Sequence, residues 1–69
     1  MAFVNPSRNI KAGRARAGLT QGDMAKKLGL SITSYNLKEN GRRPFTLEEF
    51  ILICESLGTN PEELLRVAN

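Results

Sequence analysis

The chain has no histidine, one cysteine (Cys54) and one aspartate (Asp23). A lone cysteine can neither close a disulfide nor complete a metal cluster within one chain. Without histidine the remaining residues offer no nucleophile–base pair and no metal cage. The sequence therefore predicts neither an enzyme nor a metal, a cofactor or a small-molecule ligand. No apolar run is long enough to span a bilayer, and the pattern of a signal peptide is missing. A cytoplasmic protein with no membrane partner is expected. Alternating apolar and polar residues, the mark of a half-buried strand, are missing as well, and the apolar spacing is helical throughout. An all-α fold follows.

At 69 residues and 7.6 kDa the chain is read as one domain, 1–69, near the lower limit for a self-supporting core. No second, ligand-sensing domain is expected. Hydrophobic residues make up 41%, which argues against disorder. The formal net charge is only +3, but it is unevenly spread. Residues 1–43 hold nine of the ten basic residues against Asp23 and Glu39, whereas residues 44–69 hold Arg66 against five glutamates. Either one side faces phosphates and the other faces elsewhere, or the charges simply solvate helix surfaces.

Residues 20–41, TQGDMAKKLGLSITSYNLKENG, are the most informative stretch. Thr20 can cap a helix that begins with Gln21. Met24, Ala25 and Leu28 form its inward stripe, and Gly29 suits a left-handed residue at its end. Leu30 is expected to be buried in the turn. Ser31 caps a second helix whose inward residue is Tyr35, a core residue with a hydroxyl that needs a partner at the rim. Two short helices joined by so tight a turn make a helix-turn-helix, about 20–40, whose second helix usually enters the DNA major groove.

The flanking segments complete a five-helix bundle. The first helix is expected over 7–17, capped by Asn5 or Ser7, with Pro6 in its first turn and Ile10, Arg14 and Ala17 facing inward. Gly13 costs that helix about 1 kcal/mol relative to alanine; the sequence does not say why it is there, and a close approach by another helix or a phosphate is one option. Gly18 ends it, and Leu19 packs inward. After a loop at 40–44, Thr46 and Glu49 form a capping box. Leu47, Phe50, Ile51, Cys54 and Leu57 follow as a core stripe, with Cys54 an inert buried thiol, and Gly58 closes the helix. Asn60, Pro61, Glu62 and Glu63 then open a fifth helix, expected over 61–67. Phe3 and Val4 either pack under the helix ends or form an arm.

These fragments, in this order and spacing over about residues 8–66, resemble the lambdoid phage repressors, the XRE or Cro/C1-type helix-turn-helix family. The resemblance rests on Ile10 and Arg14, on Gly18, Leu19, Thr20 and Gln21, and on Ala25 with Leu28, Gly29, Leu30 and Ser31. It continues through Glu39, Asn40 and Gly41 with Arg42, Arg43 and Pro44, then Leu57, Gly58, Asn60, Leu64 and Leu65. It implies a lambda repressor-like DNA-binding domain acting as a sequence-specific regulator in a bacterial or phage-infected cell, nucleoid-associated when bound. Double-stranded DNA is the implied partner. By position, Ile32, Thr33, Asn36 and Leu37 match residues that face base edges. Gln21, Asn40, Arg42 and Arg43 match residues that hold the DNA backbone, and Arg14 and Glu39 match a buried ion pair. That pairing also makes physical sense, because an unpaired charge on the apolar face of the first helix would cost several kcal/mol.

Two departures from the family pattern stand out. Ile32 and Leu37 are aliphatic where relatives often carry polar residues, so they could meet thymine methyl groups but not hydrogen-bond a base. Asn36 becomes the leading hydrogen-bonding reader, best suited to adenine. Lys38 occupies a position that is often apolar. Either its stem lies along the core, or the helix rotates and buries Leu37 instead. Lys26 and Lys27 either solvate the second helix or contact phosphates.

The expected function is a repressor of phage or operon type, a homodimer on a palindromic operator that blocks polymerase. The dimer follows from geometry and from the family: two half-sites about one DNA turn, roughly 34–36 Å, apart need two recognition helices. Its expected interface is the acidic region 59–67, anchored by Leu65 or Val67. The alternative is a protein-binding module on the same fold, an antitoxin or antirepressor acting through another regulator, for which aliphatic Ile32 and Leu37 would form the surface.

Overall fold

The computed structural model describes residues 6–66. They form five helices: α1 (Ser7–Arg16), α2 (Gln21–Leu28), α3 (Ile32–Glu39), α4 (Leu47–Leu57) and α5 (Pro61–Leu65), with no strand among the described residues. Phe3, Val4, Asn5 and Val67, named above, lie outside them.

Local chemistry sets most of the helix ends. Thr20 Oγ1 accepts from the Asp23 amide, and Asp23 returns a bond to the Thr20 amide. Thr46 and Glu49 make the same reciprocal box at the start of α4. Such boxes satisfy two of the amides that a helix start leaves without partners. Ser31 and Asn60 cap α3 and α5 with their side-chain oxygens. The first helix departs from expectation: Pro6 is its N-cap residue and no side-chain cap bond forms there. A proline already fixed near helical φ can start the helix without that bond, and the Pro6 carbonyl accepts from Ile10 in the first turn.

The buried core is Ile10, Met24, Ala25, Tyr35, Ile53, Cys54 and Leu64. Leu19, Leu28, Leu30, Phe45, Phe50 and Leu57 pack around it, so Leu30 is half-buried in the turn rather than fully enclosed. Tyr35 and Phe45 meet ring to ring with centroids 5.9 Å apart and planes tilted by 55°. Cys54 is buried, and loss of solvent pushes its thiol pKa up. Gly13 has an internal reason. A Cβ there would come within 3.1 Å of Leu57 Cδ1, so α1 and α4 approach closely at that point.

Two expectations about inward faces are corrected. Ala17 lies beyond the end of α1 and is exposed. On α4 the core stripe is Phe50, Ile53, Cys54 and Leu57, whereas Leu47 is 74% exposed and Ile51 is 45% exposed. Both stripes have helical spacing, because α4 carries aliphatic residues on more than one face. Packing against α1, α2 and α5 decides between them.

Candidate nucleic-acid interface

The turn between α2 and α3 brings the two helices of the motif together. Gly29 adopts φ +71°, a left-handed conformation that would strain any side-chain-bearing residue. The Leu30 amide reaches back 2.8 Å to the Ala25 carbonyl, and Ser31 starts the next helix. α3 then packs on α2 and α1.

Glu39, the last residue of α3, is buried and binds four donors. Its Oε2 accepts from Arg14 Nε at 2.7 Å and from the Tyr35 hydroxyl at 2.6 Å. Its Oε1 accepts from Arg14 at 3.1 Å and from Gln21 Nε2 at 3.0 Å. Burial pushes this carboxyl pKa up, but the bonds from Arg14, Tyr35 and Gln21 outweigh burial and hold it below the ordinary glutamate range. The bond to Glu39 raises the Arg14 pKa further, and Arg14 also donates to the Leu19 carbonyl at 2.8 Å. For Tyr35, burial comes first and the Glu39 bond second, and both raise its pKa. The Arg14–Glu39 pair thus ties α1, the loop before α2, α2 itself and α3 together.

From this centre a line of side-chain amides runs outward. Gln21 Oε1 accepts from Asn36 Nδ2 at 3.1 Å, and Asn36 Oδ1 accepts from Asn40 Nδ2 at 3.1 Å. Beside the line, Ile32 is 57% exposed and Thr33 is exposed, while Leu37 is half-buried. Lys38 settles the choice posed by the sequence. Its side chain is only 13% exposed, and its Nζ donates to both Glu49 oxygens at 2.6 and 2.9 Å. The lysine stem is largely covered, as the first alternative has it, and Leu37 stays half-buried beside it. Arg42 and Arg43 follow α3 in an exposed turn that is held by the Arg42 amide on the Leu37 carbonyl. Lys26 and Lys27 are exposed at the end of α2.

The structure therefore gathers Gln21, Asn36 and Asn40 into one network with Arg14 and Glu39. It sets Ile32, Thr33, Arg42 and Arg43 in solvent around that network. Three partners were not foreseen. The Tyr35 hydroxyl meets Glu39 in the interior rather than a group at the rim, and the i, i+4 spacing of that pair was its only signal. Gln21 bonds Glu39 as well as Asn36. Asn9 donates to the Leu64 and Arg66 carbonyls at 2.7 and 2.8 Å, tying the end of α5 to α1.

The fold has counterparts among known proteins. A family model described as helix-turn-helix, HTH_3, matches residues 10–64. The chain belongs to the helix-turn-helix family. Among solved structures, a hypothetical transcription factor, NHTF, from Neisseria superposes with a TM-score of 0.78 at 24% identity, covering 90% of this chain and 70% of that one. That likeness shows the fold. The restriction-modification controller protein C.AhdI from Aeromonas hydrophila superposes with a TM-score of 0.77 at 26% identity, covering 88% of this chain and 92% of that one. No curated protein sequence matches the chain. Together the family and the controller protein support a DNA-binding transcription regulator. No helix among the described residues is long and apolar enough to cross a membrane.

Proposed function

We propose that this helix-turn-helix regulator is a repressor that binds a palindromic operator as a homodimer and occludes polymerase. The observation that carries the reading is the outer face of α3. It offers Ile32, Thr33 and an oriented Asn36 amide, and the exposed cations Arg42 and Arg43 follow directly in sequence. Ile32 and the exposed part of Leu37 are suited to thymine methyl groups, Asn36 to adenine, and Thr33 to either donors or acceptors. Gln21, Asn40, Arg42 and Arg43 hold the phosphate backbone and set the register of α3 in the groove. The second copy is joined through the acidic half, with exposed Leu65 among its anchors.

Selection of bound duplexes from a random pool at two salt concentrations tests this reading. A palindrome with fixed half-site spacing is expected. Retention without enrichment, lost at the higher salt, would reduce the activity to backbone binding.

The exposed aliphatic Ile32 supports a second reading, a protein-binding module that acts through another regulator. Replacing Arg42 and Arg43 by alanine separates the two. For a DNA binder, affinity falls and the slope of log K against log salt shrinks by roughly 0.9 per lost phosphate contact. For a protein partner, both quantities stay nearly unchanged.

A further inference from the structure

We propose that the buried Glu39 carboxylate sets the donor–acceptor direction of the amide line on α3, making Glu39 and Gln21 positioning residues for base selection by Asn36. The inference rests on the DNA-binding reading and deepens it. An ionised carboxylate can only accept hydrogen bonds. Glu39 therefore admits one orientation of Gln21, with Nε2 toward the carboxylate at 3.0 Å and Oε1 turned outward. That oxygen can only accept, so Asn36 must present Nδ2 to it, at 3.1 Å. Asn36 Oδ1 is then left pointing toward Asn40, whose Nδ2 donates at 3.1 Å. Reversing Gln21 would set oxygen against oxygen at Glu39 and NH2 against NH2 at Asn36. The direction is thus copied, one amide at a time, from a buried anion to the surface.

The ladder uses one N–H and one lone pair of the Asn36 amide and leaves the other of each. A donor and an acceptor side by side fit adenine N7 and its N6 amino group, whereas guanine presents two acceptors there. An unrestrained asparagine could offer this pair either way round. Here only one way round remains, so an A·T pair is distinguished from T·A as well as from G·C. Glu39 does not need Gln21 for neutralisation, because Arg14 supplies two bonds and Tyr35 a third. The Gln21 bond transmits orientation.

The test replaces Gln21 and leaves Arg14, Tyr35 and Glu39 in place. Gln21→Met keeps the bulk of the side chain without its amide, and Gln21→Ala repeats the test with nothing reaching the network. The first readout is the NMR signal of the Asn36 side-chain NH2 group in the free protein. In the native chain it should differ from that of a solvent-exposed asparagine in shift and water exchange, and both variants should bring it to exposed values. The second readout is affinity for operator duplexes changed one base pair at a time, with Asn36→Ala marking the position that Asn36 reads. At that position the variants should lose roughly tenfold of discrimination, and they should keep it elsewhere. Weakening that is uniform across the duplexes, with discrimination at the Asn36 position intact, would overturn the proposal and leave Gln21 with a phosphate role alone. An unchanged Asn36 signal would overturn the ladder itself. If the native chain discriminates no bases, the sequence-specific reading falls and base selection falls with it, while the NH2 signal still decides whether Glu39 orients the amides.

Discussion

Glu39 and Arg14 show how a residue's surroundings become a measurable quantity. The folded Glu39 pKa lies below its ordinary value, so its contribution to stability is full above about pH 4.3 and is lost as pH falls through the lower folded value. Glu49, shifted the same way against burial by Lys38, follows the same sign. Thermal melting between pH 6 and about pH 3 should therefore show a falling melting temperature on the acid side. Glu39→Gln should start lower and fall less steeply, and parallel curves would assign the acid loss to other carboxylates. Arg14→Ala strands a buried anion and should cost about 3–5 kcal/mol in urea unfolding. A cost below about 1 kcal/mol would mean that Tyr35 and Gln21 alone compensate Glu39. A charge on the thin apolar face of α1 shows that Arg14 needs a partner, and the family resemblance supplied Glu39 as that partner. The other two donors were not legible, because a tyrosine hydroxyl and a glutamine amide each have many possible partners until the backbone places them.

At the level of elements, capping and glycine chemistry made the helix order readable, and their boundaries differ from expectation by a residue or two. What the pattern could not decide was rotation. Leu47, Phe50, Ile51, Leu52, Ile53 and Leu57 allow α4 more than one apolar face, and only its neighbours choose the one that contains Ile53. The start of α4 has two functions that separate by mutation. Thr46→Ala removes the cap oxygen and should cost about 1 kcal/mol in urea unfolding. Glu49→Ala removes the return bond of the box and also strips Lys38 of its partner, so its loss should be the larger of the two. The reverse order would show that the Lys38 ammonium finds water at no cost. It would also weaken the account of why Leu37 stays half-buried.

For the whole molecule, the uneven charge and the exposed apolar residues fall into one pattern. Of the large exposed hydrophobics among the described residues, Leu47, Ile51, Leu52 and Leu65 lie in the acidic half, and Ile32 lies on the recognition helix. The chain measures 28 × 24 × 19 Å. Two copies side by side can set their recognition helices about one DNA turn, roughly 34 Å, apart. An acidic surface joined through aliphatic anchors would keep that side off the phosphates while pairing two copies. Leu52→Glu combined with Leu65→Glu adds charge where the proposed pairing would need apolar area, and neither residue belongs to the amide network. Sedimentation equilibrium should then give the mass of one chain. Affinity for an isolated half-site should be unchanged, and affinity for the two-site operator should fall to nearly the same value. A variant that remains a dimer would move the interface away from this surface, and a native chain that is monomeric at micromolar concentration would leave the operator itself to bring two copies together.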